Sequence, residues 1–217
     1  MSVHNLGRIF DPKRIALVGA SPNPNSVSGK VLSNLVTGGF PGVVYPVHPT
    51  QEAVLGIPCF PDVASLPRVP ELAIVCTPAE QVPAAVTACG EAGILGLIVM
   101  SAGFRETGEA GRALEQEVRA AHARFPGMRI LGPNCLGVIV PRRNLNASFG
   151  PAMPRDGQIA FLSQSGALCT SVLDWARDER VGAGLVAQRH RAQQVARQLD
   201  DAVGAVLAFL QPAAHAA

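Results

Sequence analysis

The chain has 217 residues, enough for one large domain or for one domain and part of a second. Hydrophobic residues make up 48% and charged residues 16%, a globular composition that argues against disorder. With a formal net charge of +2 we expect no nucleic acid and no membrane as partners. The apolar runs are too short to span a bilayer and the N-terminus lacks a secretion pattern, so we expect a cytoplasmic protein.

Apolar, β-rich segments alternate with segments of helical periodicity along most of the chain. The sequence predicts strands at 14–20, 43–47, 72–76, 97–101, 129–131 and 159–162, and helices at 28–38, 79–92 and 108–125. This order predicts an α/β fold with an open parallel sheet and right-handed crossovers. Such sheets bind ligands at the carboxyl ends of their strands, which is where the Gly- and Pro-rich loops fall.

The periodicity weakens between residues 138 and 157, which predicts a connector with a small hairpin. We therefore divide the chain into a domain at 1–140, a connector at 141–158 and a second unit at 159–217. One strand and one helix cannot bury their apolar faces alone, so we expect a homo-oligomer or marginal order in the second unit. The tail suits one amphipathic helix, whose apolar residues are Val195, Leu199, Val203, Val206 and Leu210.

The turn after the first strand indicates which nucleotide the sheet would bind. Gly19-Ala20-Ser21 does not begin a G-x-G-x-x-G motif, because the next glycine is Gly29. The second strand also ends without an acid for the ribose hydroxyls, which disfavours NAD. No P-loop motif for ATP is present. Coenzyme A fits better, since an acid at that place would repel its 3′-phosphate; an NAD-linked oxidoreductase is a weaker alternative.

Five segments, in this order, resemble the ADP-forming acyl-CoA synthetases. They are RIALVGASPNPNSVSGKVLSNL, VVYPVHPTQEAVLGIPCFPDVASLP, LAIVCTPAEQVPAAVTACGEAGILGLIVMSAGFRETG, RILGPNCLGVIVP and IAFLSQSGAL. These enzymes are acetate–CoA ligases related to the α subunit of succinyl-CoA ligase. The resemblance implies a Rossmann-like CoA-binding domain followed by an incomplete flavodoxin-like segment of the ligase domain. It also implies CoA as cofactor, CoA or acyl-CoA as ligand, and ATP and Mg²⁺ handled only by an ATP-grasp partner.

The resemblance implies a set of CoA-binding residues at the strand ends. They are Gly19, Ala20, Ser21, Asn23, Thr77, Pro78, Met100, Ser101, Ala102 and Asn134. Backbone N–H groups after Gly19 and the following helix N-terminus would hold the CoA phosphates, although a plain strand-to-helix turn also explains them. Thr77-Pro78 equally suits a helix start, and the loop of Asn134 equally suits a rigid interdomain turn. Thr50 departs from the family, which often has a lysine there.

The segment Ser163-Gln164-Ser165-Gly166 precedes a predicted helix, with Leu168, Val172 and either Trp175 or Ala176 facing inward. A helix N-terminus offers free N–H donors to a phosphate. The resemblance implies that Ser163, Ser165 and Gly166 receive a phosphohistidine. The segment is also similar to a nucleophile elbow, but Leu162 replaces the first glycine of that motif and no His–acid pair completes a triad.

The resemblance ends near residue 182, before the family's phosphorylated histidine. None of the histidines, which are His4, His48, His122, His190 and His215, has a matching Gly-rich setting. We therefore expect a truncated or rearranged gene product, without catalytic residues or a metal site, that is a CoA-binding subunit or fragment and is inactive alone. The alternative is a stand-alone CoA- or nucleotide-sensing module. Cys135 is a candidate thiol, although buried packing explains the cysteines better.

Overall fold

A five-stranded parallel sheet forms the centre of the first half of the protein. The computed structural model describes residues 5–150 and 153–188. The elements of the first half are α1 (Gly7–Phe10), β1 (Arg14–Val18), α2 (Val27–Thr37), β2 (Val43–Val47), β3 (Ala53–Val54), β4 (Ile57–Pro58), β5 (Leu72–Val75), α3 (Val82–Glu91), β6 (Gly96–Val99), α4 (Glu109–Ala123) and β7 (Arg129–Leu131). The sheet order is β2-β1-β5-β6-β7, and β3 and β4 form a separate hairpin.

Helices cover both faces of this sheet. β5 and β6 are buried along their whole length, as expected for apolar strands with two covered faces. On one face, Leu32 and Leu35 of α2 pack against the strands, and on the other face Val86 of α3 and Val118 of α4 do so. The predicted Rossmann-like α/β fold is therefore confirmed.

A second, mixed sheet follows the first. Its elements are β8 (Gly137–Val140), β9 (Leu145–Ser148), β10 (Asp156–Ser163), α5 (Gly166–Asp178) and β11 (Ala183–Gln188). The strand order is β10-β11-β8-β9, with β10 parallel to β11 and the other pairs antiparallel. Asn34 of α2 donates to the carbonyl oxygens of Ser148 and Gly150, both at 2.9 Å, and so joins the two sheets.

The second sheet corrects the predicted structure of the second unit. The stretch 141–158 contains β9 and the start of β10, while the boundary near residue 140 stays a prediction. The expectation of a lone strand and helix was wrong, because β11 and the β8–β9 hairpin complete a four-stranded sheet. The predicted helix around 195–210 lies outside the described residues. Of the helices in the described ranges, none is both long and apolar enough to cross a membrane.

Two predicted helix faces were partly wrong. In α5, Leu168 and Trp175 are 51% and 56% exposed. The buried residues of α5 are Cys169, Leu173 and Ala176, so Ala176 was a correct alternative, whereas the buried face begins at Cys169 and not at Leu168. Both sets have helical spacing, so the periodicity alone could not choose between them. In α2, the apolar spacing predicts Val36 on one face with Val31, Leu32 and Leu35, but Val36 is exposed whereas the other three are buried.

Candidate functional site

A cleft of about 770 Å³ opens at the carboxyl ends of β1, β2 and β5. We call it the strand-end cleft. Its walls are Val18, Gly19, Ala20, Ser21, Val47, His48, Pro49, Pro61, Asp62, Val63, Cys76, Thr77, Pro78, Glu80, Gln81, Ala84, Ala85 and Ala88. The volume suits a cofactor-sized ligand, and the position is where open parallel sheets bind ligands.

The floor of the strand-end cleft is a close approach between two turns. Gly19 has φ +83°, and a Cβ atom there would lie 2.9 Å from Thr77 N. Only glycine therefore fits between the turn after β1 and the turn after β5. The N–H groups of Gly19 and Ala20 both donate to the carbonyl oxygen of Val47, at 3.0 and 3.1 Å. These two N–H groups stabilise the turn and are not available to a ligand.

Donors for an anion lie further along, at the N-terminus of α2. Ser26 caps this helix by accepting the N–H of Gly29 at 3.0 Å, and its hydroxyl donates to Asn23 O at 2.7 Å. The N–H groups of Val27 and Ser28 have no acceptor among the described residues. Helix N-termini with free N–H groups attract phosphates. A Cβ atom at Gly29 would lie 2.2 Å from Asn23 O, so this loop also requires glycine for its packing.

Thr77 carries an unsatisfied group at the cleft. Its Oγ1 atom is buried and has no hydrogen-bond partner in the described part of the chain. A buried hydroxyl without a partner costs free energy, which a ligand acceptor or donor would recover. The carbonyl oxygen of Thr77 is satisfied, because it accepts the hydroxyl of Ser101 at 2.6 Å.

His48 is held at the end of β2 in a defined tautomer. Its Nδ1 atom accepts the backbone N–H groups of Thr50 and Gln51, both at 3.2 Å. In the neutral ring the proton is therefore on Nε2, which can donate to a ligand. Among the described residues that line the cleft none is Lys or Arg, while Asp62 and Glu80 are acidic.

The predicted CoA-binding residues divide into two groups. Gly19, Ala20, Ser21, Thr77 and Pro78 line the strand-end cleft, whereas Asn23, Met100, Ser101, Ala102 and Asn134 do not. Met100 is only 5% exposed, and it packs against Cys76, whose Sγ lies 3.9 Å from its Sδ atom. Ser101 and Asn134 are neighbours, because the N–H of Asn134 donates to the carbonyl oxygen of Ser101 at 2.9 Å. The loops after β5, β6 and β7 are thus joined side by side.

The predicted phosphate segment stands at the N-terminus of α5. Ser165 caps the helix by accepting the N–H of Leu168 at 3.2 Å, and its own N–H donates to Ser163 Oγ at 3.1 Å. Gln188, at the end of β11, contacts this segment through a 3.4 Å bond from its Nε2 atom to Gln164 O. Its Oε1 atom accepts the N–H of Leu136 at 2.6 Å. Sequence reasoning missed Gln188, because no strand was predicted there.

The cysteine thiols do not offer a nucleophile. Burial raises the pKa values of Cys76, Cys89 and Cys135 to about 12, so these thiols stay protonated at neutral pH. Cys135 also donates to the carbonyl oxygen of Val99 at 3.3 Å. In the described part of the chain, no three His, Cys, Asp or Glu side chains are grouped to hold a metal ion.

Comparison with known proteins agrees with this geometry. A family profile described as a CoA binding domain matches residues 13–141, more than half of the chain. An ADP-forming acetate–CoA ligase I of Archaeoglobus fulgidus is 43% identical over 81% of this chain and 25% of the relative. The α subunit of ADP-forming acetate–CoA ligase I of Pyrococcus furiosus is 35% identical over 84% of this chain and 40% of the relative.

A solved structure shares the fold as well. The dinucleotide forming acetyl-coenzyme A synthetase 1 of Ca. Korarchaeum cryptofilum, in complex with phosphate and ADP, superimposes with a TM-score of 0.81 and 36% identity. The match covers 85% of this chain and 39% of that protein. The chain thus spans between 25% and 40% of the lengths of these relatives. Because the CoA binding domain profile matches more than half of the chain and these relatives share 35–43% identity with it, the chain belongs to the CoA-binding-domain family of the ADP-forming acyl-CoA synthetases.

Proposed function

We propose that this chain binds CoA or acyl-CoA in the strand-end cleft, as the CoA-binding part of an ADP-forming acyl-CoA synthetase. The observation that carries the proposal is the floor of the cleft. Gly19 lets the turn after β1 lie against the turn after β5, where a Cβ atom would come within 2.9 Å of Thr77 N, and the buried hydroxyl of Thr77 has no partner among the described residues. The unpartnered hydroxyl is what a bound cofactor would use, since a polar atom of the cofactor would satisfy it.

The walls of the cleft and the segments that follow them in the chain suggest how CoA lies. The diphosphate takes the free N–H groups of Val27 and Ser28 at the N-terminus of α2. The adenosine end lies near His48, and the pantetheine arm passes Thr77 towards the loops of Ser101 and Asn134. CoA supplies the thiol that becomes acylated, whereas this chain's own residues bind and orient it.

His48 supplies the recognition of the ribose phosphate in this proposal. The described walls of the cleft contain no Lys or Arg, and Thr50 stands where the family often has a lysine. His48 Nε2–H is then a donor at the end of β2, held in place by the two N–H bonds at Nδ1. A donor here favours a phosphate at the ribose, whereas an acid favours the bare hydroxyls of NAD.

The second unit would contribute the phosphate site of the same synthetase. The N-terminus of α5 with Ser163, Ser165 and Gly166 would face a phosphorylated histidine that comes from outside this chain. An ATP-grasp subunit or domain would bind ATP and Mg²⁺. Two similar proteins are α subunits of acetate–CoA ligases, which supports a partner subunit. In this proposal the described residues bind CoA in the cytoplasm, and the ATP site belongs to the partner.

Calorimetric titration of the protein with CoA, acetyl-CoA, NADH and ATP tests the proposal. We expect CoA and acetyl-CoA to bind, and NADH and ATP to bind at least tenfold more weakly. The variant Gly19→Ala places a methyl group against the Thr77 backbone, so the two turns that form the floor of the cleft move apart and CoA binding should be lost. Gly39→Ala is the matched control, because Gly39 also has positive φ but a Cβ atom there meets nothing within 4 Å. Preference for NADH, or equal CoA binding by both variants, would overturn the proposal.

A further inference from the structure

A second cleft lies at the opposite ends of the strands of the first sheet. There the amino ends of β1 and β2 meet the 3-10 turn Pro141–Arg143. Its volume is about 640 Å³. We call it the basic cleft, and its walls are Asp11, Pro12, Lys13, Arg14, Phe40, Pro41, Gly42, Val43, Tyr45, Arg68, Arg142, Arg143, Asn144 and Leu145. β1 has five residues, so about 16 Å of strand separates it from the strand-end cleft.

The basic cleft has more positive than negative charge. Five of the residues that line this cleft are basic, and three of these five have acidic partners. The ion pairs are Arg14 with Glu71, Arg142 with Asp156 at 3.7 Å, and Arg143 with Asp11 at 3.1 Å. Lys13 and Arg68 form no ion pair within the described residues, which leaves two uncompensated positive charges. The strand-end cleft shows the opposite pattern, with two acids and no Lys or Arg on its described walls.

Two of the guanidinium groups are partly buried and incompletely bonded. The side chains of Arg14 and Arg142 are 28% and 25% exposed. The Nε atom of each is buried and has no hydrogen-bond partner in the described ranges. Glu71 and Asp156 already compensate these two charges, so the binding of a further anion falls to the uncompensated Lys13 and Arg68.

One wall of the basic cleft is apolar and aromatic. The ring of Phe40 lies directly over Gly42, where a Cβ atom would come within 2.5 Å of the ring. Pro12 and Pro41 also line the cleft. A flat apolar group could pack against Phe40, while the arginine side chains could bind a phosphate or stack on the same group.

We propose that the basic cleft binds a phosphate monoester that carries a flat ring, of which a nucleoside monophosphate is the simplest example. The phosphate is held by Lys13 and Arg68, and the ring packs against Phe40. The walls come from both sheets, since β1 and β2 belong to the first and the turn at Arg142–Arg143 follows β8 of the second. A bound ligand would therefore stabilise the junction of the two units. This proposal does not depend on CoA binding.

Calorimetry of the full chain with AMP, ribose 5-phosphate and inorganic phosphate tests it. We expect AMP to bind more tightly than ribose 5-phosphate, and ribose 5-phosphate about as tightly as inorganic phosphate. The double variant Lys13→Ala, Arg68→Ala should weaken AMP binding at least tenfold. Arg112→Ala is the matched control, because Arg112 is exposed on α4 and does not line the cleft. Phe40→Leu should weaken AMP but not inorganic phosphate.

Saturation with CoA distinguishes the two clefts. AMP affinity should be the same with and without CoA, because the two ligands bind at opposite ends of the strands. Displacement of AMP by CoA, absence of AMP binding, or equal AMP affinity in the double variant and the wild type would each overturn the proposal. Inorganic phosphate binding as tightly as AMP would overturn the role of Phe40. If the double variant fails to fold, the single variants Lys13→Gln and Arg68→Gln replace it.

Discussion

The backbone N–H of Leu136 donates to Gln188 Oε1 at 2.6 Å, and this bond joins the loop after β7 to the end of β11. The same side chain donates to Gln164 O, beside the N-terminus of α5. On the other side, Asn134 N–H donates to Ser101 O, and the Ser101 hydroxyl donates to Thr77 O. Hydrogen bonds therefore connect the strand-end cleft with the predicted phosphate segment.

The variant Gln188→Leu should destabilise the protein by about 1–3 kcal/mol, because it leaves the N–H of the buried Leu136 without an acceptor. Urea denaturation measures the loss, and hydrogen exchange should show faster exchange at the amide of Leu136. Gln188→Glu is the control, since it keeps an acceptor oxygen at the same place. Unchanged exchange at Leu136 in Gln188→Leu would show that this bond does not hold the loop.

His48→Ala should reduce the affinity for CoA about tenfold and leave the affinity for dephospho-CoA unchanged. The reason is the loss of one hydrogen bond to a charged phosphate, worth about 1.5 kcal/mol or more. Calorimetry with both ligands measures the ratio of the two affinities. His122→Ala is the control, because His122 lies on α4, contacts the carbonyl oxygen of Met128 and does not line the cleft. An equal loss for both ligands would place His48 away from the 3′-phosphate.

The strands that could be predicted accurately from the sequence are those that begin and end at clear turn residues. β2 and β7 were predicted to the residue, because Gly and Pro turns bound short apolar runs. The strand β11 was missed, because its apolar run continues directly into a polar tail without a turn residue. The buried face of α5 was misassigned, because two adjacent stripes of apolar residues satisfy the helical period equally.

Only part of the candidate site could be predicted from the sequence, because several of its contacts form only in the folded protein. Gly19 and Thr77 follow apolar strands directly, so the rule for strand ends places them in the cleft. The tautomer of His48 depends on the backbone of Thr50 and Gln51 turning back towards the ring, which no spacing of residue types reveals. Gln188 acts across 52 residues on Leu136, and such a contact arises only from the folded sheet.

Thr77→Val should separate stability from binding. The substitution removes a buried hydroxyl that has no partner in the described residues, so the free energy of unfolding should stay the same or rise by up to about 1 kcal/mol. CoA affinity should fall severalfold, because the ligand loses the group that it would satisfy. Urea denaturation and calorimetry measure the two effects.

Thr107→Val is the contrasting control for this experiment. Its hydroxyl donates to Phe104 O at 2.8 Å, so the variant should lose about 1 kcal/mol of stability and keep its CoA affinity. If Thr77→Val bound CoA as the wild type does, the unsatisfied hydroxyl would not be part of the CoA site.

The buried thiols should make the protein less stable at alkaline pH. Burial raises the pKa values of Cys76, Cys89 and Cys135 to about 12, whereas the unfolded chain releases these protons near pH 8.5–9. A raised pKa in the folded state contributes stability below the unfolded value, and this is lost as the pH rises towards 12. Urea denaturation between pH 8 and 11 should show the fall.

Other groups titrate in the same range, so the comparison with Cys89→Ala isolates the thiol. This variant should lose less stability between pH 8 and 11 than the wild type does, because one of the shifted groups is gone. Identical pH profiles for the two proteins would show that the Cys89 thiol ionises as easily in the folded protein as in the unfolded chain.

The exposed stripe of α5 should mediate self-association. Leu168 and Trp175 share one face of α5, next to its buried face, and both expose more than half of their surface. Ile159, on the edge strand β10, is exposed to the same extent. Large apolar side chains grouped on one surface favour a protein contact. We expect the wild type to form a dimer or larger oligomer in analytical ultracentrifugation, and the double variant Leu168→Ser, Trp175→Ser to be a monomer that still binds CoA. Val36→Ser is the control, because Val36 is equally exposed but lies on α2. A wild type that remains monomeric at all concentrations would show that this stripe does not join two copies of the chain.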